Sequence, residues 1–227
     1  IEIPSGPLTL IDDGHSLHIN GDTISGTAAA VPWGQRASHA VSIININGQP
    51  HVVLIPTSKV EYTPDLSTAR EPRDHLSASN AAFISAPITN TADISSVRFA
   101  GAAMRSAQIA GAMQAAIKIT VTYATEREQF GRPLAKFQAI QQMLAIAAAK
   151  SVEACMSAEI AFRTIDQTNA DLSKAEFDTA SAKVVCSEAV EAITDTSHEV
   201  HGAIGFTHEH DLHFITQRLW TWRAEFG

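Results

Sequence analysis

Arg127, Phe130 and Gln138 lie close together in the stretch Tyr123–Gln141, and their types suit a phosphorylated ligand. A guanidinium binds phosphate oxygens bidentately. At a helix C-terminus it also complements the helix dipole, worth about 0.3–1 kcal/mol. Further on, Glu199-Val-His-Gly-Ala203 carries a second candidate. Small residues let backbone N–H groups approach an anion closely, although a glycine there also simply stops a helix. Glu199 opposes the anion reading, since a carboxylate beside an anion is unfavourable. His198, His201, His208, His210 and His213 are crowded. His210 and His213 sit at i, i+3 spacing, compatible with one helix face. No third ligand has diagnostic spacing, so no metal site is expected. Glu209 and Asp211 are expected to pair with these rings or to cap a helix.

Helices must position these groups. Apolar and small residues run at helical spacing over 96–129, with Asp93 or Ser95 as cap. Phe130-Gly131 reads as the stop and Pro133 as the start of the next helix. Arg127 then falls in the last turn of the first helix, and Gln138 two turns into the second. Helix two runs over 133–166, with Phe137, Ile140, Leu144 and Ala147 as its buried stripe. Residues 167–172 form a polar loop. Ser173-Lys-Ala-Glu176 is a capping box that opens helix three, which continues to Gly202. Thr207 or Asp211 caps a fourth helical run to about Glu225. Abundant alanine favours close antiparallel packing.

Residues 1 to about 90 read as β structure. Leu8–Ile11, Ser16–Ile19, Ala40–Ile44 and His51–Pro56 are short runs rich in β-branched residues. Asp13-Gly14, Asn20-Gly21, Ser25-Gly26 and Asn47-Gly48 punctuate them. Asn47-Gly48 predicts a hairpin. Residues 61–75 read as a loop and 81–88 as a last strand. The expectation is an α+β chain: a small antiparallel β-barrel or sandwich over 1–92, then an up-down four-helix-bundle-like domain over 93–227.

Arg127-Glu-Gln-Phe-Gly-Arg-Pro-Leu-Ala-Lys-Phe-Gln-Ala-Ile-Gln141 resembles the acyl-CoA dehydrogenase signature at the turn between the first two helices of the C-terminal bundle. Val200-His-Gly-Ala-Ile-Gly-Phe-Thr-His-Glu-His-Asp-Leu-His213 resembles the family segment that faces the flavin diphosphate and adenosine. The two matches come in family order and spacing. The resemblance implies FAD as cofactor. Arg127 would contact the diphosphate of a neighbouring subunit's FAD, with Gln138 bordering it and Phe130 near the adenine. It implies that Glu199, Val200, His201, Gly202 and Ala203 line the same cofactor, with Glu199 and Ala203 departing from the usual Gln and Gly. Trp33 falls where the family's β domain meets the isoalloxazine ring.

The implied reaction is α,β-dehydrogenation of an acyl-CoA, the acyl chain being branched or steroid-derived. A carboxylate takes the α-proton while the β-hydrogen leaves as hydride to the flavin. One family position for that base corresponds to Gly101 or Ala102, which cannot serve. The other falls near Glu225, the candidate base here, which could equally be a surface glutamate. Trp220 and Trp222 beside it could simply seal the bundle. The alternative is a non-catalytic partner subunit that completes a neighbour's FAD site. A homo- or hetero-oligomer, dimer or tetramer, is implied, with an electron-transfer flavoprotein as acceptor. The family's N-terminal helical domain and last helix are missing from the pattern, so a fragment or trimmed chain is expected.

The totals agree. With 16 basic and 24 acidic residues the net charge is −8, which disfavours nucleic acid and anionic membranes. No apolar run approaches the roughly 20 residues that span a bilayer. Ile1-Glu-Ile-Pro4 has no signal-peptide character. Cys155 and Cys186 read as buried free thiols of a reducing compartment, and a cytoplasmic location is expected.

Overall fold

The computed structural model describes residues 2–12, 16–88, 95–168, 171 and 173–227. Asp13-Gly14, Asp93 and the Ser95 side chain, read above as turn and caps, lie outside the described residues. One compact unit holds the described residues up to Gly101, with Asp171, Ser173 and Phe226. The other holds most of the described residues from Ala102 onward.

In the first unit, β1 (Leu8–Leu10), β4 (His39–Ile46), β5 (Gln49–Pro56) and β8 (Ile84–Pro87) form one sheet in the order β1-β4-β5-β8. The second sheet has the order β2-β3-β7-β6, from β2 (Leu17–Asn20), β3 (Thr23–Pro32), β6 (Glu61–Thr63) and β7 (Arg73–Ala82). Only β1 and β4 pair in parallel. Ile44, Val53 and Ile55 of one sheet share a core with Ile24, Val31 and Leu76 of the other. The unit is therefore a two-sheet sandwich, and burying each such aliphatic side chain contributes about 1.5–3 kcal/mol. Asn47 and Gly48 make the expected hairpin, both at positive φ, with Ile46 paired to Gln49.

Two long strands escape the sequence reading. Ser25-Gly26 is not a turn but the middle of β3. Gly26 has φ 130°, and a Cβ there would lie 2.1 Å from the Ser16 carbonyl oxygen, so glycine is what lets β2 approach. β7 occupies part of the expected loop at 61–75 and takes in Ala81-Ala82 of the expected last strand. Its inward positions include Leu76 and Ala78, alternating with His75, Ser77 and Ser79. Small and polar residues carry that alternation, so it lacks a β-branched signal.

The helical unit contains α1 (Ser95–Glu126), α2 (Gln138–Gln167), α3 (Glu176–His201) and α4 (Leu212–Arg223). Ile109 and Met113 of α1, Ala154 and Ala158 of α2, Val190 and Ile193 of α3, and Leu212 and Leu219 of α4 form one core. The α2 stripe begins half-buried at Phe137, Ile140 and Leu144. It deepens through Ala147, Ser151, Ala154, Ala158 and Ala161.

Several helix ends differ from expectation. α1 ends at Glu126, so Arg127 lies just beyond it, its N–H bonded to the Tyr123 carbonyl at 2.8 Å. A two-residue hairpin follows, β9 (Glu128–Gln129) against β10 (Arg132–Pro133), turning through Phe130 and Gly131 at φ 53° and 78°. Pro133 thus closes a hairpin and does not open a helix. A 3₁₀ turn over Leu134–Lys136 intervenes, and Gln138 is the first residue of α2. Ser173 does not cap α3. Its hydroxyl and N–H both bond Asp171 Oδ1, at 2.6 and 3.2 Å, and α3 starts at Glu176 without a side-chain cap. At the start of α4 neither expected side chain caps: the Asp211 carbonyl accepts the Phe214 N–H at 3.2 Å, Thr207 Oγ1 donates to the Ile204 carbonyl, and it is His210 Nδ1 that accepts the Leu212 N–H.

Ala154 is fully buried, with Cys186 Sγ 3.4 Å from its carbonyl oxygen. Ala154→Leu is expected to overpack this α2–α3 contact and to destabilise by about 1–3 kcal/mol. An unchanged denaturant midpoint would refute the close packing.

Candidate functional site

One end of the helical unit gathers most of the expected cofactor residues. Tyr123, in the last turn of α1, stacks on His201 at the end of α3, with ring centroids 4.4 Å apart. Its hydroxyl donates to the His201 carbonyl at 3.4 Å. His210 meets the His201 ring edge-on at 4.5 Å. These contacts bring the hairpin after α1 beside the glycine break after α3. Arg127, Phe130, Gln138, Glu199, Gly202 and Ala203 are all exposed at this end.

Among the described residues the Arg127 guanidinium has no acceptor. Phe130 is 92% exposed, with its ring edge-on to Phe137, which also lies under the Arg132 guanidinium. Gly202 has φ 65° and ψ −145°, a conformation that suits glycine, and a Cβ there would meet nothing. There is thus open space beside Gly202, while its N–H is committed to the His198 carbonyl. Val200 and His201 are buried, so their side chains serve the helix end. Trp33 belongs to the β unit. It is 42% exposed, at positive φ, with the Arg36 guanidinium over its ring.

The histidines do not converge. His201 Nδ1 donates to the Ser197 carbonyl and His213 Nδ1 to the His210 carbonyl, both at 2.7 Å. His198 Nε2 meets Thr216 Oγ1 at 3.0 Å, and His210 Nδ1 accepts the Leu212 N–H. Among the described residues no three His, Cys, Asp or Glu side chains form a metal-ligand group. Burial pushes the His198 and His201 pKa values down, against partial opposition from Asp195 for His198 and from the Ser197 carbonyl for His201. Burial also pushes the Cys186 thiol up to about 12, so it is inert.

Glu225 follows α4. Its Oε2 accepts from both Nε and Nη2 of Arg105 at 2.6 Å, and its side chain is 20% exposed. Arg105 also lies over the Trp222 ring at 5.5 Å. The next residue, Phe226, has φ 59°, and a Cβ on Gly101 would fall 2.2 Å from its ring. Gly101 thus touches Phe226, and the Glu225 carboxylate is drawn to an arginine. The buried Lys183 donates to the carbonyl oxygens of Arg223 and Gly227, each at 2.8 Å, and so fixes this segment. Sequence reading missed Arg105, Lys183 and Tyr123. A lysine inside the apolar run of α3 was the one available signal.

The acyl-CoA dehydrogenase C-terminal domain profile matches residues 98–223. The chain belongs to the acyl-CoA dehydrogenase family. It is 29% identical over 175 residues to the acyl-CoA dehydrogenase IpdE2 of Mycolicibacterium smegmatis, a match covering 76% of this chain and 53% of that protein. The chain thus spans about half the length of this relative. Among solved structures, the ChsE4–ChsE5 complex of Mycobacterium tuberculosis superposes with TM-score 0.82 and 24% identity, over 95% of this chain and 61% of that one. An acyl-CoA dehydrogenase complexed with FAD from Bacillus anthracis gives TM-score 0.76 and 16% identity, over 99% and 42%. At these identities the structural likeness establishes the fold. No described helix is long and apolar enough to cross a membrane.

His198 and His201 fix a pH dependence. Both have folded pKa values below the ordinary 6.5, so the unfolded chain binds more protons. Their contribution is complete above about pH 6.5 and is lost as the pH falls below it. His201→Phe keeps a ring against Tyr123 and removes one titration. Thermal midpoints measured between pH 7.5 and about 5 should fall less steeply for this variant.

Proposed function

We propose that this chain is a subunit of an FAD-dependent enzyme that dehydrogenates an acyl-CoA thioester between its α and β carbons. A branched or steroid-derived acyl chain is the substrate class, an electron-transfer flavoprotein the acceptor and the cytoplasm the location. In this reading residues 1–92 are the middle β domain and 93–227 the C-terminal bundle. The observation that carries the proposal is the exposed end of the helical unit. There Arg127, whose guanidinium has no acceptor among the described residues, and the uncrowded turn at Gly202 lie on elements tied together by Tyr123 and His201.

This donor set fits a diphosphate. Arg127 offers a bidentate fork, and the uncrowded turn at Gly202 leaves room for a phosphate beside it. Phe130 and Gln138 are exposed nearby and suit an adenine and a polar edge. In this reading the cofactor belongs to a neighbouring subunit, so the enzyme is an oligomer. FAD, when bound, supplies the hydride acceptor. Glu199 faces solvent at the same end and weakens the site's attraction for an anion.

A specific observation favours a division of labour, with this chain as the non-catalytic partner. A base for α-proton abstraction works best in an apolar, water-poor pocket. Glu225 instead has an oxygen committed to Arg105, and the Phe226 ring covers Gly101. The proton would then be taken by another chain. A heteromeric neighbour in fold, the ChsE4–ChsE5 complex, supports that arrangement.

Arg127→Ala should weaken FAD retention about 10- to 100-fold, the loss of a charge-assisted hydrogen-bonded pair, read by titrating FAD into the stripped native assembly. Unchanged retention would sink the site. In the same assembly Glu225→Gln should leave acyl-CoA-dependent flavin bleaching within about threefold. A drop of about 100-fold or more would instead make Glu225 the general base.

A further inference from the structure

α3 and α4 border a cleft of about 330 Å³ that the cofactor reading does not use. Small-molecule clefts hold roughly 300–1,000 Å³. His213, Gln217 and Trp220 recur at i, i+4 and i+7 and so share one face of α4, while Asp195 and His198, three apart, share one face of α3. These two faces meet across the cleft, and Phe206 closes it from the connection between the helices. Two of its walls are aromatic and accessible, with Phe206 69% and Trp220 42% exposed.

The charge and the unmatched hydrogen-bonding groups of the cleft select its ligand. The exposed Asp195 carboxylate has no hydrogen-bond or ion-pair partner among the described residues. His213 is 6% exposed, and its Nδ1–H donates to the His210 carbonyl at 2.7 Å. Its Nε2 therefore carries a lone pair, and that buried atom has no partner among the described residues. Such an acceptor is costly to leave unmatched, and a ligand N–H would match it. His198 is a wall: its Nε2 bonds Thr216 Oγ1 and its ring stacks on Phe206 at 4.1 Å. Burial lowers the His198 pKa, so this ring adds no positive charge at neutral pH. Among the described residues no lysine or arginine lines the cleft. Aromatic faces attract cations. Trp220 already holds one, the Arg223 guanidinium 4.9 Å from its ring centroid.

We propose that the cleft between α3 and α4 binds a small organic cation, a primary or secondary ammonium on a flat apolar body. Asp195 pairs with the charge, His213 Nε2 accepts an N–H, and Phe206 and Trp220 cover the apolar part. The Gln217 amide, without a partner among the described residues, orients the ligand. A phosphate or carboxylate would meet the Asp195 charge and no lining cation, which is unfavourable. The cleft is thus opposite in chemistry to the Arg127 end and does not depend on the cofactor reading.

Phenethylammonium and phenylacetate carry the same ring and opposite charges, so titration calorimetry with each on the native assembly tests the site. The cation is expected to bind saturably with a dissociation constant of about 1 mM or lower, and the anion to give no saturable heat. Asp195→Asn, at an exposed position, should weaken the cation about tenfold or more, the loss of one charge-assisted pair. Trp220→Leu should weaken it about threefold or more. Arg127→Ala should leave it unchanged. No saturable heat from the cation, equal binding of the two probes, or an Asp195→Asn variant that binds like the parent would overturn the site. Loss of cation binding in Arg127→Ala would overturn its independence from the cofactor end, whereas FAD retention in the same samples reports on the cofactor reading alone.

Discussion

The contact between Tyr123 and His201 is the constraint on which the candidate site depends. It joins the last turn of α1 to the last residue of α3, and without it the hairpin and the glycine break would be unrelated surface features. The stacking works because His201 is fixed from below. Its Nδ1–H donates to Ser197, which sets the ring plane and leaves a neutral ring face for the tyrosine. Burial keeps the imidazole uncharged, so the ring behaves as an aromatic spacer. Two buried side chains thereby hold a set of exposed ones in register.

Much of the architecture was legible because periodicity and turn chemistry agreed. Asn47-Gly48 could hardly be read as anything but a tight hairpin. The stripe legible at Phe137, Ile140, Leu144 and Ala147 is half-buried at its first three positions and fully buried only from Ala147 onward. Where local signals conflicted, tertiary context decided. Phe130-Gly131-Arg132-Pro133 was read as helix stop and helix start, yet a two-residue hairpin uses the same glycine and proline equally well. The polar alternation of β7 was invisible because Ser, Asn and His carry no strand preference of their own. Ser173 looked like a cap in sequence, but Asp171 two residues earlier claimed its hydroxyl first.

The chemistry was legible in part. Arg127, Gln138 and the 199–203 turn could be singled out by residue type, and they share one end of the helical unit. What surrounds Glu225 could not be read, because its partner Arg105 is 120 residues away in sequence. An ion pair of that separation is a property of the fold. It changes the chemical meaning of the carboxylate from a free proton acceptor to one half of a charged bond. Lys183 adds to this by fixing the carbonyl oxygens on either side of that carboxylate.

The contact between Phe226 and Gly101 has an evolutionary consequence. The aromatic ring occupies the volume any side chain at 101 would need, so these two positions cannot drift independently. A side chain at 101 requires a residue smaller than phenylalanine at 226, and removing the ring alone leaves a void over a glycine, so the two positions can change without cost only together.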